Sequence, residues 1–299
     1  SFEKQFSGED SPITRWSQEY DLAKDELQAL ILPANEWLPI IFAFAMILMV
    51  WSLLAAVLIW LGHRVRMRFG LTEELPQHPK ALDMLRFALR KLGPWLIALV
   101  MTVYMTYALP SSLGKSLAMV LAYALVVGTC FSAICVIAFS VLDGPHRHRA
   151  LFILRHQAFR PLWLIGSFAA FGEALSDPRL VESLGTHLAH TAATIANVLA
   201  ALSTGLFILR FRRPIAHLIR NQPLSRRLTR RALSDSIDIL GTFWYVPALV
   251  LVAISLFVTF VSAGDTSTAL RQSLICTVLV VLCMVINGLV RRHSLKPQR

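Results

Sequence analysis

Long runs of residues without a charged side chain constrain the fold of this chain more than any other feature. Trp37–Leu61 extends for 25 residues without Asp, Glu, Lys or Arg. An uncharged apolar run of about 18 residues or more is typical of a helix that crosses a lipid bilayer. Charged residues make up 16% of the chain, against about 25% in soluble domains, and they cluster between the apolar runs. The sequence therefore predicts an all-α, polytopic transmembrane fold.

The apolar runs divide the chain into seven predicted spans, arranged as successive helical hairpins within a membrane domain over 37–292. The spans lie at about 37–61, 93–109, 117–142, 162–175, 187–209, 239–261 and 273–290. A polar segment, 1–36, precedes them, and a basic tail, 293–299, follows. The fourth span is short, at roughly 21 Å of helix. It either extends back to about Gln157, thins the bilayer around it, or enters the membrane without crossing.

Two amphipathic helices are predicted outside the spans. In the first segment, apolar residues recur every three or four positions, at Ile13, Trp16, Tyr20, Ala23, Leu27 and Leu30. This helix is either the end of a longer helical or coiled-coil domain or a single helix on the membrane surface. The second helix, over Pro79–Leu92, has a basic face and leads into the second span.

The arginine-rich loop Arg210–Arg231 predicts which way the protein lies in the membrane. It contains 8 arginines in 22 residues and no acidic residue. Short basic loops stay on the cytoplasmic side. Loops after the odd-numbered spans, with the tail, hold 23 Lys and Arg, whereas the first segment and the other turns hold 6. We therefore expect the N-terminus outside and the C-terminus in the cytoplasm.

The same loops explain the net charge of +11 and supply candidate lipid contacts. Because the basic residues alternate with spans, we expect membrane lipids with anionic headgroups as partners, and no nucleic acid. A Lys or Arg near an anionic surface contributes about 1 kcal/mol to binding. The candidates for lipid and tension contact are Arg86, Arg90, Arg212, Arg213, Arg226 and Arg227.

No sequence motif points to catalysis or to a cofactor. The chain contains no HExxH, no glycine-lysine phosphate loop and no GxSxG, and its four cysteines form no CxxC pair. Glu173 is the one acidic residue well inside a predicted span, and it lies close to the outer end. We expect a protein that is not an enzyme and that holds no metal or cofactor.

The fifth predicted span has small residues along one face. The helix-packing candidates are Ala189, Ala193, Asn197, Ala201 and Gly205. Small side chains let helix backbones approach closely in lipid. Asn197 lies near the midplane, where it either forms an interhelical hydrogen bond worth roughly 0.6–2 kcal/mol or marks a conduction or substrate path.

A weak internal repeat joins two span entrances. LRFALRKLGPWLIAL at 85–99 and LRHQAFRPLWLIGSF at 154–168 each contain a basic amphipathic stretch, then proline, then Trp-Leu-Ile. Either the hairpins share one architecture, or each entrance reflects the general preference of proline for a first helical turn and of tryptophan for the interface.

Three stretches resemble the amino-terminal membrane region of the larger channels in the small-conductance mechanosensitive (MscS) superfamily, especially its moderate-conductance YbiO-like branch. They are VLDGPHRHRALFILRHQAFRPLWLIG at 141–166, LFILRFRRPIAHLIRN at 206–221 and FVTFVSAGDTSTALRQSLICTVLVVL at 257–282. The glycine- and alanine-rich pore helix and the β-rich cytoplasmic domain of that superfamily do not occur in this sequence. The resemblance implies the tension-sensing region of a homoheptameric channel for osmotic protection, with the pore in sequence outside it. It also implies a bacterial inner membrane, in which the outer N-terminus is periplasmic. The alternatives are a secondary transporter and a membrane scaffold subunit.

Overall fold

All the regular structure in the described residues is α-helical, as the sequence predicts. The computed structural model describes residues 12–31, 37–69, 81–107, 112–141, 148–220 and 242–261. In chain order the helices are α1 Pro12–Ile31, α2 Trp37–Phe69, α3 Ala81–Tyr107, α4 Leu113–Val141, α5 His148–Gln157, α6 Phe159–Leu175, α7 Pro178–Leu184, α8 Thr186–Arg220 and α9 Tyr245–Val261.

Four of these helices, α2, α3, α4 and α8, are long and apolar enough to cross a membrane. This length and composition identify a membrane protein. Helices α6 and α9 are apolar but have 17 residues each, fewer than the roughly 20 that span a bilayer core without tilt. The seventh predicted span, 273–290, lies outside the described residues.

The helix bounds differ from the sequence prediction at several helices. α2 continues to Phe69 and α8 to Arg220, so the first half of the predicted arginine-rich loop, Arg210–Arg231, is helical. The predicted interfacial helix and the second span form one helix, α3, with Pro94 in its interior. The fourth predicted span begins at Phe159, close to the extension back to about Gln157 that the sequence left open, and only Ala158 separates α6 from α5. The Ala158 carbonyl accepts the Leu162 N–H at 3.1 Å, so backbone hydrogen bonding continues across the junction. Short stretches of a span can thus join the neighbouring basic helix, which hydropathy alone does not reveal.

Helix α6 forms the centre of the packed structure, between α4 and α8. On the α4 side, a Cβ added at Gly128 would lie 2.7 Å from the Trp163 carbonyl oxygen and 2.8 Å from the Ser167 nitrogen. On the α8 side, a Cβ added at Gly172 would lie 3.1 Å from the Ala193 carbonyl oxygen. At Gly128 a methyl group has no room beside the α6 backbone. At Gly172 the α8 backbone would have to give way by a few tenths of an ångström, so the three backbones approach closely at these glycines.

Helices α2 and α3 contact each other, and both contact α4; we refer to this pair as the α2–α3 hairpin. The contact among the three helices is built from buried residues: Trp51 and Ala55 on α2, Ala98 on α3, and Ala122 and Val126 on α4. The Trp51 and Trp95 rings lie 5.3 Å apart, within the range of favourable aromatic contacts. Outside this contact the hairpin is exposed. Within the 18-residue apolar stretch of each helix, 17% of the residues of α2 and 11% of those of α3 are buried, against 50% for α4. The hairpin is therefore attached along one face, whereas α4 is enclosed.

Replacing Gly128 with alanine tests the close approach of α4 and α6. We expect G128A to lower the free energy of unfolding by about 1–3 kcal/mol, because backbone atoms of α6 must move to admit the methyl group. Reversible unfolding by sodium dodecyl sulfate in mixed micelles measures this change. Gly93 is the matched control, because a Cβ there meets nothing within 4 Å. G93A should be neutral or stabilising by up to about 1 kcal/mol; equal destabilisation by both variants would contradict the packing described above.

Candidate lipid-contact and helix-packing sites

The small-residue face of the fifth predicted span lies against neighbouring helices. On α8, the exposed fractions are 0% for Ala189, 3% for Ala193, 6% for Asn197 and 9% for Ala201. Gly205, further along, is half-buried and faces α9, where a Cβ would lie 3.9 Å from Val252 Cγ1. The same face thus contacts α6 over its first half and α9 near Gly205.

Asn197 occupies the space above a glycine of the central helix. A Cβ added at Gly172 would lie 2.4 Å from the Asn197 side-chain oxygen. The amide therefore fills the gap between α8 and α6 at this level. This arrangement is what a packing residue requires, whereas a residue that lines a substrate path needs open volume beside it.

The two glycine contacts of α4 and α6 were not identified from the sequence. Gly128 and Gly166 face each other, with a Cβ at Gly166 only 3.0 Å from the Gly128 Cα. The Ser167 hydroxyl is buried beside them and has no hydrogen-bond partner among the described atoms. A glycine in each of two apolar helices was the available signal, but a single sequence does not show which helices are neighbours.

The candidate basic residues fall into different environments. Arg86 on α3 is exposed, and so are Arg212 and Arg213 on the second half of α8. Arg90, one turn beyond Arg86, is half-buried and lines a crevice between helices. Arg226 and Arg227 lie outside the described residues. The structure therefore separates Arg86 and Arg90, which the sequence had placed on one basic face.

A junction between α1 and the start of α8 was also missed. The Leu188 backbone N–H donates to Glu26 Oε2 at 2.8 Å. The first four N–H groups of a helix have no partner within the helix, and a carboxylate there also meets the positive end of the helix dipole. Gly185 makes the approach possible: its φ is +99°, and a Cβ there would lie 2.5 Å from the same Glu26 oxygen. Glu26 therefore caps α8 from a helix about 160 residues earlier in the chain.

A second acidic residue of α1 faces the same helix. Glu19 Oε2 lies 3.4 Å from His190 Nδ1, a separation that makes an ion pair when His190 is protonated. This oxygen forms no hydrogen bond with the described atoms, so the Glu26 cap is the better-defined contact. Ala23 is buried between the two, whereas Tyr20 is 61% and Leu27 43% exposed. Only part of the predicted apolar stripe is therefore buried. α1 packs against α8, whereas the sequence predicts either the end of a longer helical domain or a helix on the membrane surface.

The position of α1 also bears on which segments share a side of the membrane. Its contacts are with the first residues of α8, next to α7. The charge-based topology requires the first segment and the turn between the fourth and fifth spans to lie on the same side. α1 and the start of α8 are neighbours in the structure, and the topology itself stays a prediction.

The comparisons with known proteins leave the geometry as the basis for inferring function. No family model, curated protein or solved structure matches this chain. Across the described ranges, no group of three or more His, Cys, Asp or Glu side chains is placed to hold a metal ion. The features that remain for inferring function are a tightly packed centre, an exposed apolar hairpin and a set of basic residues near helix ends.

Removing the Glu26 carboxylate tests the junction of α1 with α8. We expect E26A to weaken the attachment of α1 by about 1–3 kcal/mol, because the Leu188 N–H loses a charged acceptor. Hydrogen exchange should then become faster at Leu188 and along α1. Asp25 is the matched control, since it is exposed on the same helix. If D25A and E26A accelerate exchange equally, the effect comes from the charge of α1 and not from the cap.

Proposed function

We propose that this chain is the lipid-facing, tension-sensing region of a mechanosensitive ion channel. In this proposal it lies in a bacterial inner membrane, with α1 on the periplasmic side and the basic loops in the cytoplasm. It assembles as a homo-oligomer, and the full set of spans is the seven that the sequence predicts, arranged as hairpins. The resemblance to the amino-terminal region of MscS-superfamily channels supports the family; the geometry supports the mechanism.

The contrast between α4 and the α2–α3 hairpin is the observation that supports this function best. Apolar side chains on the outside of the hairpin are largely exposed, including Leu53 at 64% and Val100 at 65%. In a membrane these side chains contact lipid. The hairpin therefore presents a broad lipid-facing surface and contacts the rest of the described structure chiefly through α4.

This asymmetry is suited to sensing tension. A stimulus shifts an equilibrium only through a difference between the two states, and for tension that difference is membrane area or lipid contact. Moving the centre of the structure would separate the glycine contacts of α6 with both α4 and α8, whereas the hairpin has one such contact with α4, where a Cβ at Gly114 would meet the Ile40 carbonyl oxygen. Moving the hairpin requires sliding or tilting along one face of α4, which is the less costly motion.

The packing at Asn197 favours this function over a secondary transporter. Transporters bind substrate near the midplane, commonly at interrupted helices with polar groups facing a cavity. Here α8 is continuous from Thr186 to Arg220, and its Asn197 side chain is packed against Gly172. Its role is thus explained by contact with α6.

Polar substitutions on the lipid-facing side of the hairpin test the proposal. In the full-length protein, we expect V100N and L53N to shift the tension at which channels open while single-channel conductance stays the same. An amide facing lipid is costly, and the cost differs between states if the hairpin changes its lipid contact. A difference of about 1 kcal/mol changes the ratio of open to closed channels about five-fold. Patch recording under graded suction gives both quantities.

V100A and L53A are the controls, because they shorten the same side chains without adding a polar group. They should leave the threshold nearly unchanged. Solute flux that is independent of tension in all the variants would instead indicate a transporter. Absence of any tension-gated current in the unsubstituted full-length protein would contradict the proposed function outright.

A further inference from the structure

A crevice of about 440 Å³ opens between the α2–α3 hairpin and the centre of the structure. Its walls come from four helices: α2 and α3 on one side, and α4 and the first residues of α6 on the other. Its volume is within the range of about 300–1,000 Å³ that is usual for small-molecule sites. The crevice therefore lies at the boundary that the hairpin would have to move along.

Cationic side chains from two helices meet at this crevice. Arg90 and Lys91 come from α3, and Arg160 comes from α6. Lys91 Nζ lies 5.6 Å from the centre of the Phe159 ring, a cation–π contact that joins α3 to α6. None of the residues described along the crevice wall is acidic. The crevice is therefore complementary to an anion and is also lined by ring surfaces.

The internal repeat of the sequence explains how this combination arises. Trp95 and Trp163, the tryptophans of the two Trp-Leu-Ile segments, both line the crevice. Each follows a basic residue by one helical turn, Lys91 before Trp95 and Arg160 before Trp163. Two copies of one sequence pattern thus supply cations and aromatic rings to a single site. Tryptophan prefers the boundary between headgroups and acyl chains, where one end of a ligand is charged and the other is apolar.

We propose that this crevice binds one anionic phospholipid, with its phosphate near Arg90, Lys91 and Arg160 and its acyl chains along Trp95 and Trp163. Basic pockets between membrane helices are suited to anionic headgroups. The ring-lined wall suits a lipid better than a soluble phosphate, which would gain nothing from apolar walls. A role for this lipid in gating rests on the proposed function; its binding does not.

Lipid binding can be measured directly by native mass spectrometry of the purified full-length protein. Phosphatidylglycerol and phosphatidylcholine with identical acyl chains are titrated separately, and glycerol phosphate is added as a competitor. The test variant is R90Q/K91Q/R160Q. The matched control, R64Q/R68Q/R210Q, removes the same charge from exposed positions outside the crevice wall. At about 1 kcal/mol for each cation, the test variant should bind phosphatidylglycerol on the order of 100-fold more weakly, and the control should bind it normally.

Each other result would overturn the proposal. Equal losses in both triple variants would show diffuse charge attraction, and no loss in either would show binding elsewhere. Equal affinity for phosphatidylcholine would show that the cations are irrelevant, and competition by glycerol phosphate at the same concentration as lipid would show a soluble anion site. If the triple variant does not fold, R160Q alone should weaken binding about five-fold. Because the readout is binding, this result is independent of whether the protein gates under tension.

Discussion

The close approach of three helices at glycine positions is the contact on which the rest of this structure depends. Within a bilayer no hydrophobic effect drives helices together, so association relies on packing and on hydrogen bonds between helices. Gly128, Gly166 and Gly172 allow the backbones of α4, α6 and α8 to approach to distances that a methyl group would prevent. This contact makes α6 a central helix in spite of its 17 residues.

The close packing at the centre determines what the periphery can do. α4 contacts both α6 and the α2–α3 hairpin, and most of the apolar residues of the hairpin are exposed. The boundary between hairpin and centre contains the tryptophan pair, Trp51 and Trp95, and the basic crevice. A lipid bound there would contact both the hairpin and the centre, which the proposed function moves relative to each other. Tension and lipid composition would then act on the same boundary.

Periodicity and charge were sufficient to predict the class of fold, and pairwise contacts were not. The uncharged run of α2 predicts a span because a helix satisfies the backbone hydrogen bonds of such an apolar run within a bilayer. The small-residue face of α8 could be located, but its partner could not, because nothing in the spacing of Ala193 and Asn197 identifies Gly172. The Glu26 cap is harder still, since its two partners are about 160 residues apart and each is an ordinary residue by itself. Repeated Trp-Leu-Ile segments indicated related entrances, but only the fold brings Trp95 and Trp163 to one crevice.

The central claim is that the α2–α3 hairpin moves against a centre that stays packed. Spin labels at the exposed positions Tyr104 on α3, Tyr123 on α4 and Leu206 on α8 would measure this motion. Pulsed electron spin resonance of sparsely labelled assemblies, in thick and in thin bilayers, gives the two distances to the label on α8. The account predicts that the distance from Tyr104 changes with bilayer thickness while the distance from Tyr123 stays constant. A constant distance from Tyr104 with a changing distance from Tyr123 would contradict it.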